Sequence, residues 1–198
     1  LRHGFGSYFG ILYSNDMWEP NTRNSWGPLQ VMQGETALTS YTTDTGYTIT
    51  NQIDTDAEQA YLLEALTDEA VDFIDAAVAD GRPFLLYYAP QAPHVPIHPH
   101  PDFLSTEGQT DPVARYYDQI REVDARVGEI LDRLVHHNIA DNTLVIFTSD
   151  NGPSQSTSRV QAGEPPGGGG SAYPFRGKKG ETREGGHRVP FLARYPGT

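Results

Sequence analysis

Two uninterrupted apolar runs bracket a long amphipathic segment, and that order of elements restricts the chain to an α/β architecture. Phe84-Leu85-Leu86-Tyr87-Tyr88-Ala89 lies between prolines and carries no alternating polar residue. Such a run predicts a strand buried on both faces, as in parallel sheets. Thr143-Leu144-Val145-Ile146-Phe147-Thr148, after an Asp141-Asn142 turn, predicts a second. Between them, from about Ala114 to His137, Tyr117, Ile120, Val123, Val127, Ile130, Leu131 and Leu134 recur at helical spacing, and the opposite face is charged. Strand, helix and strand make one crossover unit of a mixed, mostly parallel sheet flanked by helices. Upstream, Thr67 is predicted to cap a helix with Asp68 and Glu69 in its first turn, an apolar face of Ala70, Val71, Ile74, Ala77 and Val78, and an end at Gly81 and Pro83. The stretch from Gly4 to Thr50 lacks steady periodicity and predicts loops with short strands. Gln161 to Tyr173, with four consecutive glycines and two prolines, predicts a mobile loop.

Charge narrows the partners. The 198 residues hold 26 acidic and 14 basic side chains, a formal net charge of -12, which argues against nucleic acid and anionic membranes. A metal cation or a neutral partner remains compatible with it. There is no cysteine, so disulfides, zinc-thiolate sites and a cysteine nucleophile are excluded within these residues. No apolar run approaches membrane-spanning length. The opening Leu1-Arg2-His3-Gly4 has neither an initiator Met nor a signal segment, and Tyr195-Pro196-Gly197-Thr198 follows directly on an apolar run. The expectation is one domain, residues 1–198, cut at both ends.

In α/β sheets ligands collect beyond the carboxyl ends of the strands. Past the first run come Pro93-His94-Val95-Pro96, and past the second Ser149-Asp150-Asn151-Gly152-Pro153. Asp150 and Asn151 supply hard oxygens of the kind calcium or magnesium takes, and His94 can exchange a proton with a reacting oxygen. Taken singly, Asp-Asn-Gly-Pro is more often a turn, and a His among prolines a loop residue. A third segment concentrates Arg176, Lys178, Lys179, Arg183, His187 and Arg188 against the acidic trend of the chain. Its glycines 177, 180, 185 and 186 permit the close backbone approach that an oxyanion pocket needs, for a sulfate or a phosphate ester alike. A solvated basic loop paired with nearby acids fits the same composition, and Glu184 is expected to pair with a neighbouring arginine.

Read in order, these segments resemble the type I sulfatases of the alkaline phosphatase superfamily. His3-Gly4-Phe5 and Phe9-Gly10-Ile11-Leu12-Tyr13-Ser14-Asn15-Asp16-Met17 look like the stretch after the family's Gly-Lys-Trp-His-Leu-Gly motif. Leu86-Tyr87-Tyr88-Ala89 with Pro93-His94-Val95-Pro96 resembles the strand that leads to the active-site histidine, and Val145 to Gly152 the metal-binding strand end. Lys179-Gly180-Glu181-Thr182-Arg183-Glu184-Gly185-Gly186-His187-Arg188-Val189-Pro190 resembles the lysine loop. The resemblance implies a partial sulfatase catalytic domain, with Asp150 and Asn151 as calcium ligands (magnesium the alternative), His94 on the sulfate and leaving-group oxygen, and Lys179, rather than its neighbour Lys178, on the sulfate and bridging oxygen. It also implies a cysteine-derived formylglycine nucleophile, a sulfated glycan or small sulfate ester as substrate, and an extracytoplasmic location, whether periplasmic, secreted or lysosomal.

The departures from the family pattern lie mainly upstream of the chain. Its Cys-x-Pro-x-Arg motif, its paired aspartates and its lysine-and-histidine motif are all absent here. Truncation accounts for one continuous missing block, and the chain alone is expected not to turn over sulfate esters. Ser7, where the family often has an acidic residue, and the glycine-rich loop bear on substrate fit. Two other classes share the framework: a phosphomonoester or phosphodiester hydrolase of the superfamily, and a non-catalytic relative that binds anionic glycans.

Overall fold

The computed structural model describes residues 4–17, 29–154 and 170–196. His3, Gly197, Thr198 and the 161–169 part of the glycine-rich loop lie outside the described residues. The first third folds as short strands: β1 (Phe9–Ile11), β2 (Leu29–Gln33), β3 (Thr36–Ala37), β4 (Ser40–Thr42), β5 (Thr48–Thr50) and β6 (Gln52–Ile53). β2 pairs antiparallel with β1, β3 and β6, and β4 pairs antiparallel with β5. Their inward residues Leu29, Val31, Ile49 and Ile53 meet Leu62 and Ala65 of the long helix α1 (Asp56–Ala79) in the main core.

Helix α1 starts eleven residues before the cap expected at Thr67. Thr55 and Glu58 form a variant of the capping box: Thr55 Oγ1 accepts from Glu58 N at 3.1 Å and donates to Glu58 Oε2 at 3.0 Å, and the same carboxylate oxygen accepts from Asp54 N at 3.0 Å. The apolar face continues upstream through Leu62, Leu63 and Leu66, so helix formation is favoured from Thr55 onward. Thr67 is buried in mid-helix, where its hydroxyl donates to Leu63 O at 2.7 Å and lies 2.9 Å from Tyr88 Oη. The end is as expected: Gly81, at φ +63°, donates to Val78 O while Arg82 N donates to Ala77 O, a Schellman closure.

Residues 82–90 are extended along α1 but join no ladder among the described residues. Burial alternates rather than covering both faces, with Leu85 76% and Tyr87 78% exposed. Helix α2 (Pro112–His136) matches the expected span, capped by Asp111 Oδ1 on Ala114 N at 2.8 Å. Much of its polar face is buried, at Asp118, Gln119, Glu122 and Arg126, with Arg126 reaching Glu64 of α1, while on the apolar stripe Leu134 is buried and Tyr117 and Ile120 are exposed. Strand β7 (Val145–Thr148) pairs antiparallel with β8 (Phe191–Arg194), and Ile146 and Phe147 are about half exposed. The α/β class holds, but every ladder among the described strands is antiparallel. An apolar run suits burial on both sides, yet only a partner strand on each edge makes it a central strand.

Candidate active site

The β7–β8 pairing joins both ends of the connection 149–190, and this closure assembles the candidate site. Thr148 Oγ1 donates to Pro190 O at 3.1 Å across the base of the connection. Inside it, Gly152 N donates to Gly186 O at 3.0 Å and Lys179 N to Pro153 O at 2.9 Å. These two bonds bring the strand end that carries Asp150 and Asn151 against the backbone of the lysine loop that carries Lys179.

Glycine makes that approach possible. A methyl group on Gly152 would lie 1.9 Å from Gly185 O, one on Gly185 2.4 Å from Gly177 O, and one on Gly186 2.1 Å from Glu181 O. No side chain fits between backbones this close. The short helix α3 (Glu184–His187) follows, and its Glu184 accepts from Arg188 Nη1 at 3.1 Å, the pairing expected from sequence.

Asn151 Nδ2 donates to Gly152 O at 2.9 Å, which leaves its Oδ1 as an acceptor for a ligand. Asp150 is exposed at the strand end. One carboxylate and one amide oxygen suit a hard cation in kind, and they supply two of the roughly six to eight oxygens calcium takes. Among the described residues no group of three or more His, Asp or Glu side chains forms a metal cage. The other ligands would have to come from elsewhere.

His94 sits in the turn after the first extended run, its N–H bonded to Gln91 O at 2.9 Å. Its Nδ1 lies 2.8 Å from Val95 O, and since a carbonyl only accepts, Nδ1 carries a proton and Nε2 is left for a ligand. No hydrogen bond or ion pair among the described residues ties His94 to Asp150, Asn151 or Lys179. The lysine loop also walls a cavity of about 510 Å³ lined by Pro174, Phe175, Arg176, Arg183 and Glu184, which the sequence signalled only as clustered basic residues.

The perturbed acids lie elsewhere, in the seam between α1 and α2, which sequence reading missed. Burial pushes Glu122 up to about 7 and Asp68 up to about 6. Glu122 Oε2 accepts from His100 N at 2.9 Å, and Arg126 approaches both Glu122 and Glu64. The spacing of Asp118, Glu122 and Arg126 was visible; their burial was not.

Comparison with known proteins gives a consistent answer. A family model described as Sulfatase matches residues 2–198. The N-acetylgalactosamine-6-sulfatase of Canis lupus familiaris is 34% identical over 197 residues, covering 100% of this chain and 34% of that protein. Arylsulfatase G of Mus musculus is 34% identical over 219 residues, covering 98% and 38%. The chain therefore spans about a third of the length of these relatives. Among solved structures, the PsFucS1 sulfatase from Pseudoalteromonas sp. is 34% identical with a TM-score of 0.63, covering 77% of this chain and 28% of that one. Ps i-CgsB, solved in complex with k-i-k-neocarrahexaose, is 27% identical with a TM-score of 0.67, covering 98% and 40%. The fold is alkaline-phosphatase-like α/β, and with the family model matched across residues 2–198 the chain belongs to the sulfatase family.

Proposed function

We propose that the protein to which this chain belongs hydrolyses sulfate esters of sugars or aryl alcohols, and that these residues supply its sulfate-binding and part of its metal-binding machinery. The observation that carries the reading is the pair of backbone bonds, Lys179 N to Pro153 O and Gly152 N to Gly186 O, which holds the lysine loop against Asp150 and Asn151. Sulfated glycans are the favoured substrates because relatives 34% identical to this chain are named N-acetylgalactosamine-6-sulfatase. An extracytoplasmic location goes with this reading; among the described residues no helix is long and apolar enough to cross a membrane.

In this reading Lys179 holds the sulfate by its ammonium group and stabilises negative charge on the bridging oxygen as the S–O bond breaks. His94 turns Nε2 to the leaving oxygen, because Nδ1 is committed to Val95 O, and when both ring nitrogens carry protons it donates the one on Nε2 there. Asp150 and Asn151 would hold a calcium ion, with magnesium the alternative, and a bound divalent cation supplies positive charge against the sulfate oxygens. The chain contains no cysteine, so the formylglycine nucleophile belongs to residues outside these 198.

The test is hydrolysis of p-nitrophenyl sulfate by the longer parent protein. Lys179→Ala is expected to lower kcat about 100-fold or more, the scale of losing one charge-stabilising group, and Lys178→Ala much less. Equal losses would leave the lysine unassigned, and faster hydrolysis of p-nitrophenyl phosphate than of the sulfate would move the reading to a phosphoester hydrolase.

A further inference from the structure

Arg176, Lys178, Lys179 and Arg183 fall within eight residues of a chain whose formal net charge is -12. Acids are abundant, so an unpaired cation here is unexpected unless something else uses it. Among the described residues no carboxylate lies within ion-pair distance of Arg176, Lys178 or Lys179, and Arg183 has only a 3.8 Å approach to Glu181. Lys179 is taken up by the sulfate ester in the proposed function. Of the other three, the two arginines are the ones that line the cavity walled by the lysine loop.

They line the same cavity of about 510 Å³, with Phe175 and Pro174 as its apolar wall. Its one acid, Glu184, is held by Arg188 Nη1 at 3.1 Å and approached by His187 Nε2 at 3.8 Å. The cavity is therefore cationic in balance. Arg188 also lies over the Phe175 ring at 4.5 Å and braces that wall. Just before Pro174 stands Tyr173, 89% exposed, an aromatic face with nothing covering it among the described residues. Gly177, at φ +106°, lets the Arg183 stem close on the backbone beside Arg176, where a methyl would sit 2.7 Å from Arg183 Cβ. Gly185 N donates to Arg176 O at 2.9 Å and fixes that arrangement. Arg176 and Lys179 are three residues apart, so their Cα atoms are separated by at most about 11 Å, the reach of one or two sugar rings.

We propose that Arg176 and Arg183 form a second anion subsite beside the Lys179 sulfate site, which binds a carboxylate or a further sulfate on the sugar next to the one that carries the scissile ester. The inference rests on the sulfatase reading above. A guanidinium offers paired N–H donors to either oxyanion, and the Tyr173 and Phe175 rings offer apolar faces to the sugar. The residues are specificity determinants and take no part in bond breaking.

The test compares the parent protein with its Arg176→Gln and Arg183→Gln variants, and with Arg194→Gln as a control that removes one charge from β8. Binding is measured by calorimetry with chondroitin sulfate oligosaccharides, their carboxyl-reduced form, and disulfated carrageenan oligosaccharides, alongside hydrolysis of p-nitrophenyl sulfate. The expected result is that Arg176→Gln or Arg183→Gln weakens at least one oligosaccharide about tenfold more than it raises KM for the aryl sulfate. Loss of that effect on the carboxyl-reduced form identifies a carboxylate; its persistence there and with carrageenan identifies a sulfate. Equal weakening for every ligand, the same effect from Arg194→Gln, or no oligosaccharide binding overturns the subsite. If the parent protein cleaves no sulfate ester yet binds these glycans through the two arginines, the sulfatase reading fails and the subsite stands. Cleavage of p-nitrophenyl sulfate with arginine-insensitive glycan binding fails the subsite alone.

Discussion

Gly152 and Gly180 are both small residues near the lysine loop, yet they are required for different reasons. Gly152 has no room, since a methyl group there would lie 1.9 Å from Gly185 O; Gly180 has room but sits at φ +84°. Gly180→Ala is therefore expected to cost about 1 kcal/mol of backbone strain. Gly152→Ala must push two backbones apart, break the Gly152 N to Gly186 O bond, and cost several-fold more, on the scale of the larger single-site losses, about 4 kcal/mol. Thermal unfolding of the parent protein checks this, and equal destabilisation by the two would show that the close approach is not rigid. At this scale the chemistry was legible: Asp150, Asn151, His94 and Lys179 are reactive or ligating residue types at strand ends or in glycine-rich loops. The partner of each glycine was not, because nothing in residues 149–154 names Gly185 as the opposing backbone.

Between α1 and α2 the packing rests on buried charge as much as on apolar contact. Glu122 is fully buried, faces Glu64 from α1, and has His100, Arg126 and Glu129 around it, while Asp68 on α1 accepts from Asp44 N and feels the same Glu64 and Arg126. Its Oε1 has no hydrogen-bond partner among the described residues. With its folded pKa raised to about 7 from 4.5, the proton binds more tightly in the folded state. That contribution is complete below about pH 4.5 and is lost as pH rises to about 7, and Asp68, raised to about 6, acts in the same direction. Asp75 acts oppositely: hydrogen bonding from Arg133, with His137 beside it, holds it at about 2, so its contribution is present above its ordinary 3.8 and lost as pH falls towards 2. Burial also lowers His100, whose contribution falls below its ordinary 6.5 and partly offsets the carboxyl effect. Glu122→Gln keeps an acceptor for His100 N and removes the charge. It is expected to raise stability at pH 8 relative to pH 5 by on the order of 2 kcal/mol, as seen in denaturant unfolding at the two pH values. A variant whose gain is the same at both pH values would show that Glu122 is not strained by ionisation. The helix spans were readable from period and caps, except that α1 extended to an earlier capping box at Thr55. Which face of α2 packs was not readable, because charged side chains seldom line a buried seam and periodicity alone favours the apolar stripe.

Across the whole molecule, large apolar side chains remain uncovered: Leu85, Tyr87, Leu144, Ile146, Phe191 and Leu192 are each more than half exposed. Exposed apolar surface of this extent marks an interaction face. The purified 198-residue chain is expected to bind a hydrophobic dye strongly and to show no hydrolysis of p-nitrophenyl sulfate, while the longer parent protein binds little dye and turns over. Turnover by the chain alone would overturn the assignment of the nucleophile to residues outside it. Sequence by itself determined the α/β class and the family, and named four residues as candidates for the site, because residue type, spacing and apolar period are local properties that survive without coordinates. Only the tertiary structure decided that β8 closes on β7 and so brings the lysine loop to the strand end that carries Asp150, that the outward faces of both apolar runs are open here, and that Arg176 and Arg183 line one cavity. Those are contacts between segments distant along the chain, and they depend on which backbones pair, a choice no single run of residues encodes.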